Sequence, residues 1–228
     1  MGFVPFLNNP ICDWLGQIKI HIGIILVQLF RMNSKIVLRL NTSAEQLASL
    51  ERLQAAFAEV CNELGPIVQE TRCWNRVTLH HLAYRKLREQ FPALGSQMVC
   101  NAIYSVSRAA RLIFQNRASP WSIEKRVDLP LPLLRFAIAA PVFFDRHTLS
   151  LRQGRLSMYT LDGRMRFDVA LTPSDEQRFR EEKIKEIVLS RDAQGFFLVF
   201  SFGEAEGVSG TSEFPEYLMI LEPTILAA

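Results

Sequence analysis

Residues 148–171 read Thr148-Leu-Ser-Leu-Arg152, Gly154-Arg-Leu-Ser-Met-Tyr-Thr-Leu161, Asp162-Gly163, then Arg164-Met-Arg-Phe-Asp-Val-Ala-Leu171. Two alternating segments flank an Asp-Gly pair, the strongest short-range hairpin signal. Gly163 is assigned a structural role, supplying the positive φ of the turn. Arg152, Arg155, Arg164 and Arg166 stud the ribbon, and Arg164 and Arg166 share a strand face. A basic, twisted ribbon that follows a basic helical block suggests a nucleic-acid cradle. Taken alone, an ordinary hairpin with solvated arginines is the competing reading.

Outward from the ribbon, the charge supports the cradle. Residues 72–166 hold 16 Lys/Arg against 5 Asp/Glu, a net of +11, while the segments before and after carry −1 and −7. A strongly basic middle is the footprint of a polyanion binder. The composition, 49% hydrophobic and 21% charged over 228 residues, is that of a globular chain with a real core.

Upstream, Lys35-Ile-Val-Leu-Arg-Leu40 is a short strand with Lys35 and Arg39 on one face. Thr42 or Ser43 caps a helix, with Gln46 completing a capping box after Ser43. Leu47, Leu50, Leu53, Phe57, Val60, Cys61 and Leu64 follow helical spacing; Gly65-Pro66 is expected to stop it, with residues 66–77 an irregular or helical link. Thr78 is expected to cap a second helix with Leu79, Leu82, Leu87 and Phe91 along one side and Arg85, Lys86 and Arg88 along the other. Ser96 is expected to cap a third, packed through Val99, Ile103, Val106, Ala110 and Ile113, with Arg108 and Arg111 on a neighbouring face. Three such helices suit a small antiparallel bundle.

After Asn116 the period changes from helical to two-residue. Leu133–Ile138 and Val142–Phe144 read as strands, residues 174–182 as a polar helical crossover, and Lys183–Ser190 and Phe196–Phe202 as a pair around Asp192-Ala-Gln-Gly195. The expected class is α+β: an antiparallel β-barrel-like domain, opened by strand 32–43, interrupted by a helical bundle at 44–116, and completed by 117–202. Residues 203–228 are expected to be a linker and truncated tail.

Residues 1–31 contain the apolar run Ile22–Phe30, short of the about 20 residues that span a bilayer and without the flanks of a signal peptide. Met32 is the expected natural start, and no membrane partner and a cytoplasmic location are expected. Cys12, Cys61, Cys73 and Cys100 fit no zinc spacing and read as reduced, mostly buried thiols. His80 and His81 are adjacent on a helix and cannot chelate together. No metal or cofactor is expected.

No catalytic site is expected. The acidic groups Asp168, Asp175-Glu176 and Glu181-Glu182 read as a solvated face rather than a two-metal centre. There is no G-x-S-x-G elbow and no glycine-rich phosphate loop; Gly207-Val-Ser-Gly210 lacks the lysine and following helix. For binding, Arg85, Arg88, Arg108 and Arg111 suit a nucleic-acid backbone. Tyr84 suits a stacked base, with packing against the core as its alternative.

The order of elements, read with several local words, resembles the N-terminal half of transposon-encoded TnpB proteins and the related compact type V CRISPR effectors. Leu50-Glu-Arg-Leu…Phe57-Ala-Glu-Val-Cys-Asn62 resembles that family's first recognition helix. Leu79-His-His-Leu-Ala-Tyr84-Arg-Lys-Leu-Arg88-Glu-Gln-Phe91 and Ser96-Gln-Met-Val-Cys-Asn101-Ala-Ile103 resemble the two that follow. Leu161-Asp-Gly163-Arg164 sits at the family's "L-x-G-R" turn, and Phe196–Phe202 resembles the strand that ends the wedge domain. The likeness covers about 34–202. It implies a barrel-like wedge domain interrupted by a helical recognition domain, with guide RNA and target DNA as partners. The family's RuvC-like nuclease half, with its first catalytic aspartate, has no counterpart in Glu213–Ala228. Cleavage would then need a separately encoded RuvC-like subunit. The alternative is a decayed or split transposase fragment without independent function.

Overall fold

The computed structural model describes residues 35–203 and 214–223. The apolar extension at 1–31 and the Met32 start lie outside the described residues, as do Cys12, His21, Gly207-Val-Ser-Gly210, most of the expected linker and the last five residues. By internal contacts the chain divides into units 1–36 and 37–228. The second unit holds every described element except the opening of the first strand.

Strand β1 (Lys35–Arg39) alternates as expected, with Ile36 and Leu38 buried and Lys35, Val37 and Arg39 outward. Helix α1 (Ala44–Thr71) starts on the expected capping box: Ser43 Oγ accepts from Gln46 N at 3.2 Å, and Gln46 Oε1 accepts from Ser43 N at 3.0 Å. Leu50, Leu53, Phe57, Val60, Cys61 and Leu64 are completely buried.

The expected stop at Gly65-Pro66 is not a stop. Helix α1 runs through Pro66 and ends at Arg72, which turns left-handed at φ 52°. A mid-helix proline costs about 3 kcal/mol, and tertiary packing offsets it. Leu64, Gly65 and Val68 are buried. Gln69 Nε2 donates to Leu131 O at 2.8 Å, and Arg72 donates to Leu129 O and Arg126 O. Gly65 serves close approach: a Cβ there would stand 2.5 Å from Leu134 O.

Helix α2 (Arg76–Gln90) is capped by Asn75, not Thr78; Asn75 Oδ1 accepts from both Val77 N and Thr78 N. Its buried side is Leu79, Ala83 and Leu87, and Leu82 is outward at 52% exposure. Helix α3 (Ser96–Ala110) begins after Gly95, which offers no side-chain cap, so Ser96 is the first helical residue and not the cap. Its expected stripe is buried in full, and a π turn over Arg111–Gln115 closes it. Helix α1 packs on α2 and α3.

The strands follow: β2 (Leu133–Phe136), β3 (Val142–Phe144), β4 (Leu149–Arg152), β5 (Arg155–Thr160), β6 (Gly163–Asp168), then helix α4 (Pro173–Glu181), β7 (Ile184–Asp192), β8 (Gly195–Phe202) and β9 (Leu218–Leu221). The protein is therefore α+β with antiparallel sheets. The single barrel-like sheet expected from the strand run is instead divided into three sheets, ordered β1-β8-β7-β3, β2-β9 and β4-β5-β6. None closes on itself among the described residues. Pro130, Pro132 and Pro141 flank the short strands β2 and β3; lacking N–H groups, they end ladders rather than extend them.

The Asp-Gly hairpin forms one residue out of the expected register. Thr160 pairs with Gly163, so Leu161-Asp162 is the loop and Gly163 opens β6 at φ 101°. Glycine adopts such a positive φ without the strain a side chain would meet. A further turn at Gln153-Gly154 adds β4, making a three-stranded meander whose inner face, Leu149, Leu156, Met158 and Phe167, is buried.

Candidate nucleic-acid interface

Strand alternation and register bring the ribbon arginines together. On β5, Leu156, Met158 and Thr160 point inward, so Arg155, Ser157 and Tyr159 point out. Across from them on β6 stand Asp168, Arg166 and Arg164, and across on β4 stand Arg152 and Ser150. Residues opposed in register share a face. Arg152, Arg155, Arg164 and Arg166 therefore line one outward face with Tyr159, which is 41% exposed.

Arg164 is held in place. Its guanidinium lies 4.2 Å over the Tyr159 ring, and it donates to Ser157 Oγ and to His147 O, both at 3.2 Å. None of these three partners is an acid, so the charge is oriented without being neutralised. Arg152 and Arg166 donate no side-chain hydrogen bond among the described residues. None of the ten ion pairs found among those residues includes any of the four. The face carries one carboxylate, Asp168, opposite Arg155.

Helix α1 anchors this platform. Gln46 Nε2 donates to Arg166 O at 3.2 Å, and Ser49 and Arg52 both donate to Asp162 Oδ2, at 3.1 and 2.7 Å. The Arg52 hydrogen bond, then that of Ser49, holds the Asp162 carboxyl below its ordinary range.

The other expected contacts are placed differently. Lys35 is on the outward side of β1. Arg39 forms a bidentate pair with Asp192, at 2.9 and 2.6 Å, which pulls that carboxyl to about 2. Arg85 is outward and pairs with Glu89 at 3.3 Å. Arg88 folds back onto Phe91 O and Leu94 O, closing the end of α2. Arg108 pairs with Glu186 at 2.6 Å and lies over Phe143, and Arg111 donates to Ser107 Oγ. Tyr84 is half-buried and stacks on His80, with ring centroids 4.4 Å apart. Arg85 and Arg108 thus meet an acid within the protein, whereas the four ribbon arginines meet none among the described residues.

Sequence reading missed Tyr159 as a site residue. Its signal was its parity with Arg155, two outward positions along β5. The acidic residues of α4 have structural uses: Asp175 completes a capping box with Thr172, Glu176 pairs with Arg180, and Glu182 pairs with Arg178. Cys61 is fully buried, with Cys73 and Cys100 half-buried, and all three are free thiols; burial pushes the Cys61 thiol up. Among the described residues no helix is long and apolar enough to cross a membrane. No protein-family model and no curated protein matches the chain.

Proposed function

We propose that this protein is a nucleic-acid-binding relative of the TnpB proteins that holds a guide RNA and contributes to recognition of target-flanking DNA. One observation carries the reading: four arginines with no acidic partner, beside an exposed tyrosine, on a single sheet face. By contrast, Arg39, Arg85 and Arg108 each meet an acid. Four left unpaired on one face form a site for a polyanion, whose phosphates supply affinity without reading sequence. In this reading the strand, three-helix insertion and strand run correspond to a wedge domain interrupted by a recognition domain, with the meander on the RNA side. Base pairing by the guide supplies most sequence specificity.

The test is to purify the full chain, wash it through a salt series and sequence the RNA that remains. One discrete structured RNA, released only at high salt, is the expected result. No RNA, or an even smear of cellular RNA, would overturn the proposal in favour of a decayed or split fragment.

A further inference from the structure

We propose that the outward face of β4–β6 takes an unpaired, extended stretch of nucleic acid, with one base stacking at Tyr159 and Arg164. This rests on the nucleic-acid reading above and narrows it to a single strand.

The aromatic ring separates the two. A surface that grips a duplex by its phosphates needs cations alone, because paired bases present only their edges. An exposed tyrosine among unneutralised arginines has a use when a base is free to offer its flat face. Tyr159 lies on the central strand of the meander, with Arg164 pinned over its ring by Ser157 Oγ and His147 O. A guanidinium held over a ring in this way is itself a stacking surface. The ring and the guanidinium together form a rigid, layered platform that loses little freedom when a base arrives.

The spacing of the arginines fits a strand laid along β5. Successive outward residues of a strand are about 7 Å apart, the scale of one nucleotide step in an extended chain. From Tyr159 the next outward position is Ser157, with Arg166 across from it on β6. The position after that is Arg155, with Arg152 across from it on β4. The face therefore offers a stacking position, then one cation, then two, at one-nucleotide intervals. Asp168, beside Arg155 on the β6 side, repels phosphate there and steers the strand toward Arg152. The footprint is about three nucleotides by this spacing.

The test is fluorescence anisotropy on the full chain at one fixed salt, with three labelled probes: a 15-mer of uridylate, a 15-mer of thymidylate, and a mixed-sequence duplex of the same length. At least one single-stranded probe is expected to bind about tenfold or more tighter than the duplex. Tyr159→Ala is expected to weaken that binding about tenfold, with Tyr159→Phe within about twofold of wild type and duplex binding unchanged in both. Ultraviolet crosslinking of a 5-iodouridine oligonucleotide is expected to map to Tyr159, a readout that does not depend on any variant folding. Duplex binding as tight as single-strand binding, or a crosslink confined to helix α2, overturns this inference and leaves the nucleic-acid reading standing. Failure of all three probes to bind overturns both.

Discussion

Asn62 on helix α1 and Phe136 on strand β2 exchange two hydrogen bonds. The Asn62 amide donates to Phe136 O at 3.0 Å and accepts from Phe136 N at 2.7 Å, copying the pattern of a strand neighbour. Leaving a partly buried backbone donor and acceptor unpaired costs about 1–3 kcal/mol. Asn62→Ala is expected to lower stability by about 2 kcal/mol, and Asn62→Asp by more, because it sets a carboxylate against the Phe136 carbonyl. Urea denaturation measures both; an unchanged midpoint for Asn62→Ala would refute the argument.

Gly65→Ala isolates close packing from helix propensity. Alanine is favoured over glycine by about 1 kcal/mol in a helix interior. Here the added Cβ would meet Leu134 O at 2.5 Å and Leu133 Cδ1 at 3.2 Å, and the first contact is backbone that cannot swing aside. Overpacking of this kind costs about 1–3 kcal/mol. The variant is therefore expected to melt below wild type, and one that melts above it would show that α1 and β2 separate freely.

The Arg39–Asp192 pair makes stability depend on pH at the acid end. The Arg39 hydrogen bond, aided by the Gln194 N–H, holds the Asp192 carboxyl at about 2, against an ordinary 3.8. A depressed carboxylate stabilises the fold fully above its unfolded pKa. That contribution is lost as pH falls from about 3.8 toward about 2, where the folded state must also take up the proton. In Arg39→Gln the Asp192 carboxyl is expected to titrate near its ordinary value. Carbon-13 NMR of the carboxyl region reads this directly, and identical titration curves in the two proteins would contradict it.

Salt dependence distinguishes unpaired from paired arginines. Each phosphate neutralised on a single strand contributes about −0.7 to the slope of log affinity against log salt. Replacing Arg152, Arg155 or Arg166 by glutamine is expected to make the slope shallower by about that amount. Replacing Arg39 or Arg108, each already held by a carboxylate, is expected to leave it unchanged. Equal slopes across the whole set would remove the distinction.

The parts that sequence reading recovered depend on local chemistry. The Ser43–Gln46 capping box, the α3 stripe from Val99 to Ile113 and the hairpin at Asp192–Gly195 are all set by neighbours within a few residues. The end of α1 was missed because its cause is remote: the backbone around Leu131–Phe136 accepts and donates to side chains of residues 62–72. Thr78 was mistaken for a cap because Asn75, three residues earlier, is an equally good cap residue and already bonds the Thr78 N–H. On the ribbon, periodicity put Arg164 and Arg166 on one strand face, as the register has them. It could not foresee that Arg108 meets Glu186 or that Arg39 meets Asp192, since those acids lie 78 and 153 residues away.

The seam between α1 and the segment from Leu131 to Ala140 is made largely by amides: Gln54 to Ala139 O and Ala140 O, Asn62 to Phe136, and Gln69 to Leu131 O. All of them grasp main-chain atoms, which every residue type possesses. Related chains can therefore vary the side chains of this segment widely without loosening it, provided the helix keeps its amides. In a set of homologues, Gln54, Asn62, Gly65 and Gln69 should be more constant than the strand they hold.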